Sequence, residues 1–259
     1  LYPDVHYIVT KNLAVPEGVT LTIKPGTKME FKDTYFVNNG TINATGKPDS
    51  LIVLEGLNKT EWNIGAEIDL SGFEYTEVKN SYLYRVDGDI RNNAIKNNRI
   101  YSIDGNCKSC NFYDNLFGDR NTNYVWGFLL NNNLINNAST YSYYASLDHI
   151  EMSNIWNTVK PAIDLGPKVF TPKMPNYFGS SIESIVRKNI WDVNNGFGTT
   201  EYDLSNMLTR PNAEAHGVVW KVVVDGYDAQ DEFDMLPPLG VGKHKFEVYF
   251  NRPMRTSVT

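Results

Sequence analysis

The chain has only two cysteines, Cys107 and Cys110, and only four histidines, His6, His149, His216 and His244, among its 259 residues. The histidines show no zinc-ligand spacing, and two cysteines cannot complete a structural zinc site without further ligands. A redox Cys-x-x-Cys normally opens a helix in a βαβ setting, and no such setting surrounds Cys107-Lys-Ser-Cys110. No Gly-x-Ser-x-Gly elbow is present to position a nucleophilic serine. Positive charge is also short. A net charge of −6 and a pI near 5.3 argue against a nucleic-acid partner, which a basic stripe must attract. No run of ~18 apolar residues exists, so no segment reads as a membrane span. Before residue 180 no segment carries a helical period. The chain opens on Leu1 without a charged and apolar leader, which reads as a mature or excised segment.

Gly (19), Tyr (16) and Asn are plentiful, and Asn is densest between Asn80 and Asn137. Asn tolerates left-handed backbone and bonds its own main chain, so it suits a turn repeated many times. Sequons at Asn39, Asn43, Asn58 and Asn137 arise easily by chance in so Asn-rich a chain and carry little weight.

The most informative feature is a repeat. Tyr84-Arg-Val-Asp-Gly-Asp-Ile90 returns seventeen residues later as Tyr101-Ser-Ile-Asp-Gly-Asn-Cys107. A wider frame places Asn80, Asn98, Asn115, Asn137, Asn154 and Asn176 at separations of 18, 17, 22, 17 and 22. Two residues after these stand Tyr82, Ile100, Phe117, Trp156 and Phe178, with Ser139 the exception. A period near 20 residues means a solenoid, in which each coil buries its apolar side only by stacking on the next. Parallel strands with a registered Asn in each coil are therefore expected over 70–165, and stacked amides can form ladders.

Residues 6–56 alternate apolar and polar positions between Pro/Gly turns, which is the all-β pattern. The stretch from Val9 through Pro16-Glu-Gly18 and Pro25-Gly26 to Phe31 resembles the opening coils of secreted bacterial right-handed parallel β-helix proteins, the pectin-lyase-like superfamily. The segment from Asn176-Tyr-Phe-Gly179 through Ile182 and Ile185 to Ile190-Trp-Asp-Val193 is similar to that group's closing turn and helix, with Phe178 in place of the usual Trp. After Pro211, strands are expected near 218–224 and 244–250, and Phe250-Asn-Arg-Pro-Met254 resembles a corner of bacterial Ig-like domains. The expected fold is all-β: a single-stranded right-handed parallel β-helix with a short helical cap and a C-terminal β-sandwich fragment. Its parts are N-terminal coils over 1–56, repeats over 57–180, the helical cap and closing strand over 181–211 and the start of an Ig-like module over 212–259. The helix is expected at 181–193, its apolar stripe formed by Ile182, Ile185, Val186, Ile190 and Val193.

Chemistry concentrates in few places. Asp87 and Asp104 hold equivalent repeat positions, as do Asp89 and Asn106, and equivalent positions of neighbouring coils stand ~4.8 Å apart. Such carboxylates suit Ca²⁺ or a raised pKa, and Arg85 and Arg91 flank them; the alternative is that Asp-Gly simply turns the coil. Asp87, Asp104, Arg85 and Arg91 are thus the catalytic candidates, and Asp87, Asp89 and Asp104 the Ca²⁺ candidates; no other cofactor is implied. Leu147-Asp-His149 resembles a pectate-lyase fragment but lacks its companion motif. Cys107 aligns with Ile90 and is expected to face inward as a free thiol, with a Cys107–Cys110 disulfide as the alternative. Tyr141, Tyr143 and Tyr144 are candidates for stacking on sugar rings, whereas Trp156 is expected to stack between coils.

The resemblance speaks to fold and hardly to activity; the expected role is an extracellular or cell-surface bacterial scaffold, one unit of a larger multidomain chain and monomeric. It would bind polysaccharide or another surface glycan without catalysis. The alternative is a polysaccharide lyase or glycoside hydrolase acting through the stacked carboxylates. This fold hosts both.

Overall fold

The computed structural model of the chain describes residues 1–32, 34, 36–56, 66–117, 124–125, 129–135, 137–139, 150–156, 163–164, 175–188, 190–191, 201, 203–229 and 237–254. Strands from the first two-thirds of the chain pair in parallel with strands one circuit later, so consecutive strands fall in different sheets. The circuit running from Thr76–Lys79 through Tyr82–Asp87 to Ile90–Arg91 places one strand in each of three parallel sheets, of eight, six and seven strands. The next circuit repeats this with Ala94–Lys96, Arg99–Ile103 and Cys107–Lys108. The protein is all-β with long parallel sheets and a single six-residue helix among the described residues. No described helix is long and apolar enough to cross a membrane.

Strand alternation assigns the core. In the eight-stranded sheet Leu54, Val78, Ile95, Phe112, Leu134 and Ile155 stand in direct register and are all buried. A second buried column runs Ile90, Cys107, Leu129, Ile150 through the seven-stranded sheet. Fully burying one such aliphatic side chain is worth ~1.5–3 kcal/mol, and here each contact is made between neighbouring circuits. That is why one repeat cannot fold alone. Cys107 occupies the expected inward position, paired with Ile90. Both cysteines are free and buried, and a hydrogen bond with Cys110 together with burial pushes the Cys107 thiol well above its ordinary range.

The corners bracket the eight-stranded sheet, and each consists of a left-handed residue followed by an inward polar one. At the first corner Tyr75, Asn92, Ser109, Asn131 and Met152 have φ between 47° and 56°. The residues that follow bond between circuits. Thr76 N–H donates to Asn93 Oδ1 (2.9 Å), Cys110 N–H to Asn132 Oδ1 (2.7 Å), and Ser153 N–H to Asn176 Oδ1 (2.8 Å). At the second corner Asn80, Asn97 and Asp114 are left-handed, and the inward column is Ser81, Asn98, Asn115, Asn137.

The single Asn frame expected from sequence therefore splits. Asn98, Asn115 and Asn137 do share one column in adjacent circuits. Asn80 lies one residue off it, where Ser81 holds the rung, and Asn176 belongs to the other corner. Asn154 sits on the outer side of the eight-stranded sheet, paired with Asn133.

The helix is also shorter than its apolar period suggests. It spans Glu183–Lys188 with Val186 buried, and Ile190 leaves it to pair in parallel with Ile163. Covering an open strand edge outweighs continuing an amphipathic stripe. Val193 lies outside the described residues.

Downstream, Val219–Val224 is the centre of an antiparallel three-stranded sheet flanked by Tyr227–Asp228 and Phe246–Phe250. Asp225 and Gly226, both with positive φ, make the two-residue turn that suits a twisted hairpin. This sheet is tied to the parallel stack through Asn212, whose N–H donates to Asn154 Oδ1 (2.8 Å) and whose amide donates to Asn131 Oδ1 (2.9 Å). Asn251 in turn donates to the Asn212 carbonyl (2.8 Å).

Candidate functional site

The Asp-Gly corner is built from backbone register. Val86 pairs Ile103, so Asp87 and Asp104 follow at matched positions on neighbouring strands, and Asp69 pairs Asp87 from the circuit before. Sequence reasoning missed Asp69 because no Asp-Gly echo accompanies it. Asp87 Oδ1 accepts the Gly88 N–H at 2.8 Å, a turn-forming bond. Asp104 N–H donates to the Val86 carbonyl at 2.8 Å. Gly105 passes so close to Gly88 that a Cβ on it would overlap the Gly88 carbonyl, so this stacked turn requires glycine there.

Asp89 is answered by its own repeat partner, with the Asn106 amide donating to Asp89 Oδ1 at 3.0 Å. Arg91 lies on a different sheet from Asp87, exposed, in register with Glu74 and Lys108. Arg85 pairs Ser102 through its backbone. Among the described residues no three His, Cys, Asp or Glu side chains gather as metal ligands. Tyr141, Tyr143, Tyr144, Asp148 and His149 lie outside the described residues.

Charge is arranged differently on the outer side of the eight-stranded sheet near its start. Lys28 Nζ lies 2.7 Å from Glu30 and 3.3 Å from Glu55, and His6 Nε2 lies 2.8 Å from Glu30. The hydrogen bond from Lys28 chiefly holds the Glu30 carboxyl below its usual range. These partly exposed, alternating charges neutralise one another.

The closing end is different in character. Trp156 does not stack inside the coils, because Ile155 takes the inward position and Trp156 is half-buried on the outer side. Gly179 closes over it. The glycine has φ +83°, and a Cβ there would come within 2.8 Å of the Trp156 Cβ. Trp156 meets Tyr177 edge to face at 5.9 Å, Tyr177 meets Trp220 at 6.3 Å, and Trp220 meets Tyr249 at 6.4 Å. This aromatic chain links the last circuit to the antiparallel sheet.

Beside it opens a cleft of about 340 Å³ lined by Tyr177, Ser180, Arg210, Trp220, Lys221 and Asp228, among others. Lys221 Nζ pairs with Asp228 Oδ2 at 3.1 Å. Burial, and after it the charge of Asp228, pushes the Tyr177 phenol far above its ordinary range, so it stays protonated. No protein-family model, curated protein or solved structure matches this chain.

Proposed function

We propose that this chain is a right-handed parallel β-helix of the pectin-lyase-like kind with the start of an Ig-like module after residue 211. In this reading it acts as an extracellular or cell-surface bacterial scaffold that binds polysaccharide without cleaving it. The strand order supports the helix, since each parallel crossover returns one circuit on and such crossovers are right-handed in nearly all proteins. One observation carries the binding reading. The converging polar and aromatic side chains lie in the cleft at the closing end, whereas Asp87 and Asp89 bond a turn N–H and a neighbouring amide. Aromatic faces beside hydroxyl and charged groups are what a sugar ring requires.

The matched positions of Asp87 and Asp104 favour the second reading, a lyase or hydrolase using stacked carboxylates. The two readings separate in one experiment. The protein is incubated with insoluble neutral and acidic polysaccharides, and both sedimented protein and soluble product are measured. Retention with no product supports the scaffold; product released at a steady rate sinks it.

A further inference from the structure

We infer that the cleft at the closing end binds a carboxylate-bearing sugar residue, an inference that rests on the polysaccharide-binding reading and specifies its site. The backbone register slips between Val219 and Lys221, and this irregularity lets two consecutive residues, Trp220 and Lys221, line the same cleft. Strict alternation would have sent them to opposite faces. Trp220 is held by two T-shaped contacts, with Tyr177 at 6.3 Å and 88° and Tyr249 at 6.4 Å and 66°. An indole fixed in this way is a flat apolar platform with little ordering cost left to meet on binding.

The charges of the cleft are unequal in their freedom. Lys221 and Asp228 are 3.1 Å apart and satisfy one another. Arg210 is exposed on the cleft and has no ion-pair or hydrogen-bond partner among the described residues. A planar guanidinium binds a carboxylate through two parallel N–H bonds. Ser180 supplies a hydroxyl whose oxygen already accepts the Ile182 N–H at 3.0 Å, which leaves its O–H free to donate. Stacking platform, unpaired guanidinium and hydroxyl donor together match a uronate ring, with its carboxylate on Arg210 and a hydroxyl toward Ser180. A volume of about 340 Å³ lies at the small end of ligand clefts, which suits one or two sugar rings rather than a long chain. A neutral sugar would leave Arg210 to water and forgo the charge-assisted bidentate bonds that a carboxylate makes with it.

Titration calorimetry with an oligoglucuronan, and with the neutral glucan of the same linkage, tests this on the full chain. The wild type is expected to bind the uronide at least about tenfold more tightly, and Arg210→Gln to bring the uronide down to the affinity of the glucan. Trp220→Ala is expected to weaken both; Trp220→Phe, which keeps a ring against Tyr177 and Tyr249, controls for lost folding and should retain part of the binding. Equal affinity for the two sugars, or a preference that survives Arg210→Gln, overturns the assignment. If both variants still sediment with polysaccharide as wild type does, glycan binding stands and the cleft is not its site. If the wild type binds neither oligosaccharide nor polysaccharide, both readings fall.

Discussion

The Asn115 side chain serves two circuits at once: its Oδ1 accepts the Asn98 N–H at 2.9 Å, and its Nδ2 donates to the Ile95 carbonyl at 2.7 Å. Asn98 repeats this against Ser81 and Val78, and Asn137 against Asn115 and Phe112. Corner groups that turn away from the parallel ladders would otherwise be buried and unpaired. The amide column is therefore a structural solution to a backbone problem, which explains the Asn richness without appeal to glycans.

Replacing Asn115 by Leu strands a buried N–H and a buried carbonyl, each costing ~1–3 kcal/mol. We expect a loss of roughly 2–5 kcal/mol and a fall in Tm of ~5–15 °C. Asn80→Gly should cost far less, since Asn80 is a left-handed corner residue whose amide bonds outward to Glu55 at 2.8 Å. Chemical denaturation of both variants checks the ranking, and equal losses would contradict the division into corner and rung.

Gly179→Ala combines two penalties, a strained left-handed residue and a Cβ meeting Trp156. We expect a loss of ~1–3 kcal/mol together with a change in tryptophan emission, because the edge-to-face packing of Trp156 on Tyr177 must shift. A stable variant with unchanged emission would show that this turn does not hold the aromatic chain in place.

His216 provides the pH test. Burial, and next the charge of Arg252, holds its imidazole below the usual range, with a backbone hydrogen bond at Ser109 acting the other way. Its contribution to stability is therefore complete above ~6.5 and is lost as pH falls through the lower folded value. His244 runs opposite. Its hydrogen bonds to Asp225 and Gly240 raise it, so its contribution is present below ~6.5 and is lost as pH rises through the folded value. His216→Asn should flatten the decline that sets in as pH falls below ~6.5 without touching the alkaline side, and Tm measured across pH reads this directly. An unaltered acid slope would remove His216 from the account.

Much of this architecture was legible because the repeat is written in residues whose roles recur. The echo of Tyr84–Ile90 in Tyr101–Cys107 identified the period, and the match of Cys107 to Ile90 located an inward column correctly. The two corners were harder to separate because Ser81, Thr76, Cys110 and Ser153 occupy rungs where the eye looks for Asn. Ile190 continues a helical spacing, yet it pairs as a strand because the last parallel edge needs a partner. The cleft was invisible in sequence. Its walls come from Tyr177, Ser180, Arg210, Trp220 and Asp228, which no period connects, and the slip at Val219 that joins Trp220 to Lys221 is a property of backbone pairing.

Melting curves with Ca²⁺ and with chelator address the Asp-Gly corner. Asp87 bonds its own turn, so Asp87→Asn with Asp104→Asn should move Tm by only a few degrees and identically in both conditions. A ligand that binds only the native state raises stability by mass action. A Ca²⁺-dependent rise in wild-type Tm that vanishes in the double variant would restore the carboxylates as an ion site.

The central claim is binding without cleavage, and turnover on a bound polysaccharide tests it most directly. Wild type and the Asp87→Asn/Asp104→Asn variant are each held with an acidic polysaccharide, with reducing ends and unsaturated products followed over many hours. The account predicts that both proteins remain bound and that neither signal rises above the protein-free control. Product that accumulates with wild type and disappears in the double variant would contradict it and make this corner an active site.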